Sequence, residues 1–310
     1  MLILAGVDEA GLGPTLGPLV TASAALTAPD GWNYDTPWER LTETVGRIPS
    51  RSASTLAVAD SKLVYRHGGA RLLEATVSAF SLLANQSRRP PISISSEAGE
   101  SPPHPCYRNC LDSFSLAAGM GETNAAAERL EKELERARAR ASHLEAAVLF
   151  EPSLNRRFEI GLNKHQALLR ETGRQLVNLA EKFPRTPMLI TVDKQGGRND
   201  YLPFLSGIFP GAWLDALETG ANISRYLVRR GEGNMEIRFQ AKADRDAFAV
   251  ALASMTAKYV REEFMTGLNA WFGKLIPGIG PTAGYPRDAI RWLNEARALP
   301  CRLDLLVRKR

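Results

Sequence analysis

Cysteine and histidine are scarce in this chain, with three and four in 310 residues. The cysteines, Cys106, Cys110 and Cys301, are too few and odd in number for a disulfide framework, and they fit a reducing, cytoplasmic setting. His104-x-Cys106-x3-Cys110 has half the spacing of a zinc site, but no second Cys/His pair accompanies it, so structural zinc is not expected. No apolar stretch reaches the roughly 20 residues that span a bilayer. The apolar start lacks the basic flank of a signal peptide and runs straight into Asp8-Glu9, so no membrane partner is expected. Internal repeats are absent. Neither charge sign dominates: the net charge is +5 and the pI about 9.2. That mild basicity fits an anionic partner such as nucleic acid without requiring one.

What is present is a core-forming chain, 44% hydrophobic, long enough for one large domain or two ordinary ones. The opening Leu2-Ile3-Leu4-Ala5-Gly6-Val7 reads as a buried strand. Leu19 to Leu26 reads as a second strand, and a turn-rich stretch through Pro29, Gly31 and Pro37 follows. Helical spacing is expected over Trp38 to Val45 and Ala70 to Leu83, and a half-buried strand over Pro91 to Ser96. Residues 97 to 122 turn irregular. Ala125 to Ala147, dense in Ala, Glu and Arg, predicts an amphipathic, largely exposed helix: a nucleic-acid arm, or more simply a solvated face packing its leucine stripe on the body. Asn163 to Phe183 predicts a long helix and Met188 to Val192 a strand ending in Asp193. Met235 to Ala241 predicts another strand. Asp244 is placed to cap a helix over Ala247 to Met265. A last helix is expected over Asp288 to Ala298.

The chemistry lies in the acids. Asp8 and Glu9 end one apolar run, Asp193 ends another, and Asp244 starts a helix. Adjacent carboxylates repel one another unless a cation lies near them. Mg²⁺ takes hard oxygen ligands of this kind. The glycines of Gly11-x-Gly13 let backbone approach a ligand closely. From these residues alone, a metal site and a strand end with solvated acids fit equally well. Strand ends on one sheet edge are the usual place for a site in α/β folds. Three or four acids converging there would hold two divalent ions about 4 Å apart, the arrangement of phosphodiester hydrolysis. If Asp244 begins its helix, Ser254 and Lys258 share a face with it.

Gly6-Val7-Asp8-Glu9-Ala10-Gly11-Leu12-Gly13-Pro14 resembles the opening motif of type 2 ribonuclease H, ribonuclease HII. Other blocks match in order: Asp60-Ser61-Lys62, Leu162-Asn163, Ile190-Thr191-Val192-Asp193, Lys242-Ala243-Asp244 with Ala253-Ser254-Met255-Thr256-Ala257-Lys258, and Gly284-Tyr285-Pro286. The resemblance implies a ribonuclease H-like α/β fold with a mixed central sheet flanked by helices and a C-terminal helical part over about 266–310. It implies one domain over 1–310, with insertions over about 97–150 and 196–234, and a monomer. It implies metal-dependent endonucleolytic cleavage of the RNA strand of RNA–DNA hybrids, or at ribonucleotides embedded in DNA, leaving a 5′-phosphate and a 3′-hydroxyl.

Residue by residue, the resemblance makes Asp8, Glu9, Asp193 and Asp244 the catalytic acids and the ligands of Mg²⁺ or Mn²⁺. It makes Gly11, Gly13, Lys62, Ser254, Lys258 and Tyr285 the substrate-binding residues, with Lys62 and Lys258 on phosphate and Tyr285 at the sugar of the ribonucleotide. A solvated loop lysine, a helix-surface lysine and a turn-anchoring tyrosine are the plainer readings of those three. The chain departs from the family at Leu12, where an arginine is usual, and at Lys194-Gln195, where Gly-Asn is usual. It also has a longer segment between Asp193 and Asp244, in which Trp213, Arg225, Tyr226, Arg229 and Arg230 are interleaved as in some nucleic-acid surfaces. The alternative is a nucleic-acid-binding protein on the same fold with little or no hydrolysis.

Overall fold

The apolar run at the start of the chain becomes the middle of the sheet. The computed structural model describes residues 1–49, 55–94, 102–112, 120–231, 233–297 and 299–309. Among them the strands are β1 (Leu2–Ala10), β2 (Leu19–Ala28), β3 (Val45–Gly46), β4 (Leu56–Ala57), β5 (Ile92–Ile94), β6 (Arg140–Leu149), β7 (Met188–Asp193), β8 (Trp213–Thr219), β9 (Ile223–Arg230) and β10 (Gly233–Gln240). The helices are α1 (Thr36–Arg40), α2 (Ser61–Asn85), α3 (Pro105–Asp112), α4 (Met120–Arg136), α5 (Glu151–Glu159), α6 (Lys164–Lys182), α7 (Leu202–Ile208), α8 (Phe248–Leu275) and α9 (Pro286–Ala296). Eight strands form one mixed sheet in the order β5-β6-β2-β1-β7-β10-β9-β8, while β3 and β4 pair separately. Helices cover both faces, which is why β1 is apolar throughout rather than alternating.

Three parallel neighbours set the functional edge. β1 runs parallel to β7 with Val7 opposite Val192, and β7 runs parallel to β10 with Asp193 opposite Gln240. Their C-terminal ends therefore open on the same side of the sheet. One face is closed by α8, α2 and α4, in a core that includes Val20, Phe80, Leu130, Phe264 and Trp292. The other is closed by α6 and α7, where Leu176, Leu179 and Leu205 meet Ile3, Val7, Ile190 and Phe239. A buried polar network also ties α6 to the sheet: Ser23 donates to Gln175 at 2.5 Å and pairs with His143 Nε2 at 2.8 Å. Lys182 lies 3.1 Å from His143 Nδ1. Burial, followed by the Lys182 charge, lowers the His143 pKa to about 3, so the ring stays neutral. With Lys182 donating to Nδ1, the proton sits on Nε2 and points at Ser23.

Several expectations are corrected. Ala125 to Ala147 is not one helix. α4 stops at Arg136, where Arg138 takes a left-handed conformation (φ 53°) and the Ala139 amide bonds back to the Leu134 carbonyl at 2.8 Å. This is a helix stop that no glycine or asparagine announces. Residues 140–149 then enter the sheet as β6 between β2 and β5, where burial overrides the helix propensity of alanine. Trp38 to Val45 is a short α1 only. The Glu133 carboxylate takes the amides of Glu43 and Thr44 at 2.8 and 3.1 Å, and Val45 is drawn into β3. α2 leaves helical geometry at Gly68–Gly69, so its second part begins at Ala70 as expected; the short helical stretch before that break, started at Ser61 by the Asp60 cap, is the part not foreseen. Part of the strand expected over Pro91 to Ser96, and part of the irregular stretch 97–122, lie outside the described residues, as does Ala298.

Helix α8 lies directly on β1 at Gly6. A Cβ there would overlap the Ala249 carbonyl carbon and the Val250 amide nitrogen, well inside 3.0 Å. Gly6→Ala should therefore lower the free energy of unfolding by about 3 kcal/mol or more. Gly273→Ala, in open space near the end of α8, should raise it by roughly 0.5 kcal/mol. Urea unfolding of the two variants beside the parent protein measures both.

Candidate active site

Asp8 is buried at the end of β1. Its carboxylate accepts the Glu9 amide at 2.7 Å and the Ser254 hydroxyl from α8. Ser254 Oγ lies 3.0 Å from Ser61 Oγ. A hydroxyl has one proton, so with Ser254 donating to Asp8, Ser61 donates to Ser254. Three elements, β1, α8 and the start of α2, are joined by this chain of hydroxyls. Asp193, at the end of β7, accepts the Ala243 amide at 2.8 Å. That amide is presented by a tight turn in which Lys242 is left-handed (φ 57°), followed by a single 3-10 turn over Ala243–Arg245. Asp244 does not cap α8, contrary to expectation: the extended N-cap is Ala247, and the Phe248 amide bonds the Tyr34 carbonyl at 2.9 Å. Its carboxylate faces the cleft instead.

The four acids and all six expected substrate-binding residues line one cleft of about 420 Å³. Burial is the main reason that each acid titrates high. Burial and then the Glu9 and Asp193 charges push Asp8 well above the carboxylate range. Burial and the Asp193 charge push Glu9 up to about 7. Asp193 rises to about 6, through burial and then Asp244. Asp244 is raised by burial and by Asp60. The Lys62 ammonium partly offsets the last three. The donors are all hard oxygens facing one another's charge, a set suited to Mg²⁺ or Mn²⁺. Among the described residues no three acidic, histidine or cysteine side chains stand grouped as a metal site.

Gly11 to Pro14, the first part of the Gly11–Gly17 loop, line the same cleft as the acids. Gly11 is left-handed (φ 90°), and a Cβ there would sit 2.6 Å from Arg261 Nε. Gly13 is exposed, with the Tyr285 ring 3.9 Å from where its Cβ would be. Tyr285 is half exposed at the cleft rim, before the Pro286 that starts α9. Leu12 is half-buried and packs on the apolar cluster of Leu19, Leu149, Leu154 and Leu168. Lys258 is already engaged: its ammonium is 2.5 Å from Glu262 and 4.4 Å from the Tyr65 ring centre. Sequence reasoning missed Asp60, Arg245 and Arg261 as cleft residues. In the sequence Asp60 stood only inside the Asp60-Ser61-Lys62 block, with no role of its own; it accepts the Lys62 and Leu63 amides at 2.9 and 3.2 Å and so caps α2.

Three sequence features have no part in the cleft. The Lys194 ammonium turns away from the acids to the Gly220 carbonyl and to Ser224. In β9, strand alternation sends Tyr226 into the core, where its hydroxyl accepts the Tyr201 amide at 2.8 Å. Arg225 and Arg229 pair with Glu236 and Asp215 at 2.8 and 3.2 Å, while Trp213, opposite Arg229 in the register, and Arg230 stay exposed away from the cleft. His104 ends a loop, its Nδ1 accepting the Cys106 amide at 3.2 Å and its ring packing against Trp271 and Phe272. It directly precedes α3.

The raised acids give a pH dependence of defined sign. A carboxyl whose folded pKa exceeds its unfolded value favours the folded state below the unfolded pKa, and that contribution is lost as pH rises through the folded one. For Glu9 and Asp193 the loss spans from about pH 4 to about pH 7. The metal-free protein should therefore melt at a lower temperature at pH 7.5 than at pH 5. Glu9→Gln should stabilise it at pH 7.5 by on the order of 1 kcal/mol, and by little at pH 4. Thermal unfolding in chelator at the three pH values reads this directly.

No family model matches the chain, and no curated protein matches it. Among solved structures, the chain is similar to ribonuclease HII of Archaeoglobus fulgidus, seen in complex with PCNA, at 17% identity over 100% of this chain and 95% of that one, with a TM-score of 0.47. It is similar to ribonuclease H2 of Pyrococcus horikoshii OT3 at 18% identity, over 94% and 86%, with a TM-score of 0.42. It is also similar to Bst-RNase HIII in complex with Mn²⁺ at 20% identity, over 94% of this chain and 62% of that one, with a TM-score of 0.41.

Proposed function

We propose that this protein is a metal-dependent endoribonuclease of the type 2 ribonuclease H kind, cleaving the RNA strand of RNA–DNA hybrids or at ribonucleotides embedded in DNA. One observation carries the reading. Five separated sequence blocks, each resembling a segment of that family, supply side chains to a single cleft around Asp8, Glu9, Asp193 and Asp244. A binding protein would gain nothing from burying mutually repelling carboxylates where phosphates approach.

The four acids would hold Mg²⁺ or Mn²⁺, which when bound activates the attacking water and stabilises the leaving oxygen. The chain's own residues do the rest. Ser254 orients the Asp8 carboxylate, and the Ala243 amide orients Asp193. Lys62 shares the cleft with the acids and brings positive charge near enough to act on Glu9, Asp193 and Asp244, a charge that would favour an approaching phosphodiester. The exposed backbone at Gly13 and the Tyr285 ring beside it offer a surface to a sugar edge, where the 2′-hydroxyl distinguishes RNA from DNA. Lys258 meets phosphate only in competition with Glu262, so its contribution is smaller than that of Lys62.

The competing reading, binding without hydrolysis, draws on Leu12. This side chain is committed to an apolar cluster and brings no cation to the loop. Two end-labelled substrates separate the readings: an RNA–DNA hybrid, and a DNA duplex carrying one ribonucleotide, each with Mg²⁺ or Mn²⁺. Cleavage is expected on at least one, with Asp8→Asn and Asp193→Asn each reducing kcat by about 10³-fold or more. Lys62→Ala should raise KM and flatten the salt dependence of binding. Tight binding by pure, folded protein without cleavage of either substrate would establish the binding protein instead.

A further inference from the structure

The Gly11–Gly17 loop is held by a segment distant in sequence. Val307 forms an antiparallel bridge with Leu16, and the Arg308 amide bonds the Thr15 carbonyl at 2.9 Å. The Arg308 side chain passes beneath the loop and is buried there. Its Nε and Nη2 donate to the Gly17 carbonyl at 2.9 and 2.5 Å, and its Nη1 donates to the Gly11 carbonyl at 2.5 Å. One guanidinium thus spans both ends of the loop, at the two glycines whose positive φ makes the turns. The preceding peptide is fixed as well, the Gly17 N–H donating to buried Glu151 at 2.9 Å. Asn155 anchors the segment by donating to the Val307 carbonyl at 2.8 Å and accepting the Lys309 amide at 2.6 Å.

Among the described residues no carboxylate lies within ion-pair distance of Arg308. Its charge is held by peptide carbonyls, with Glu151 acting only through space. A buried cation of this kind is a poor source of stability, and apolar replacements of buried charges are often neutral. It does give geometry: the planar fork reaches two carbonyls at once, which the single ammonium of lysine cannot do.

We infer that Arg308 is the positioning residue for the glycine loop, setting the Gly11–Gly13 backbone at the distance from the acids that ribose recognition needs. The catalytic half of this inference rests on the nuclease proposed above; the structural half does not. Arg308→Met and Arg308→Lys are compared with the parent by amide hydrogen exchange and by kinetics. In Arg308→Met, exchange at residues 11–17 should accelerate by about tenfold or more, while β1 residues 3–7 and α6 stay protected. Mn²⁺ affinity, read by calorimetry, should change less than about twofold. On the hybrid, kcat should fall by about 10-fold to 100-fold with little change in KM, because the loop is misplaced rather than lost. Discrimination of one ribonucleotide against an all-DNA duplex should narrow. Arg308→Lys should recover less than half of the lost protection. Unchanged exchange over 11–17 in both variants overturns the inference, and so does a uniform loss of protection across the sheet in Arg308→Lys. If Arg308→Met does not fold, Arg308→Lys and Asn155→Ala, which frees the same segment from its other side, decide by the same local exchange. Absence of cleavage by the parent protein would overturn the nuclease while leaving the exchange result to judge Arg308.

Discussion

The backbone contact between α8 and β1 at Gly6 is the constraint on which the rest of the site depends. With no side chain at Gly6, the helix lies against the strand, and small residues along its inner face keep it there. Everything α8 carries is then in register with β1. Ser254 meets Asp8, Arg261 fills the space beside Gly11, and Lys258 reaches the cleft rim. A helix standing one methyl group farther out would lose the short hydroxyl chain from Ser61 through Ser254 to Asp8, since hydrogen bonds weaken steeply with distance.

Against this rigid floor the acids are under electrostatic tension. Their burial and mutual repulsion are offset in part by the Ala243 and Glu9 amides, the Ser254 hydroxyl and Lys62. The offset is incomplete, and the residual repulsion is what a divalent cation would remove. The same logic applies at the rim. Glu262 pairs with both Lys258 and Arg261, at 2.5 and 3.4 Å, so an arriving phosphate competes with this one carboxylate for two cations.

The glycine loop that lines the cleft is built by different physics. The Gly11–Gly17 loop has no secondary structure of its own beyond the bridge to Val307, and its carbonyls and amides are satisfied by Arg308, Arg261, Glu151 and the Gly284 carbonyl. A loop with so many backbone groups out of water needs these partners. Leu12, turned onto the Leu19 and Leu154 side chains, anchors it from below.

The sequence by itself determined the strands that deliver Asp8 and Asp193, the long helix before β7 and the order of the motif blocks. These are local signals: apolar runs, caps and breakers act over a few residues. Convergence of the ten residues on one cleft is a property of strand order, because β1, β7 and β10 become parallel neighbours only through crossovers that no window of sequence contains. Tertiary structure alone decided that residues 140–149 join the sheet, since a left-handed Arg138 and burial between β2 and β5 outweigh alanine's helix propensity. It also decided the roles of the charged residues. Nothing in the sequence singles out Arg308, Lys258 reads there as a phosphate contact or a helix-surface lysine, and Lys194 as a departure from the family pattern. Each was fixed by partners more than two dozen positions away or on a neighbouring turn of helix, and a charge's function depends on what lies within a few ångströms of it.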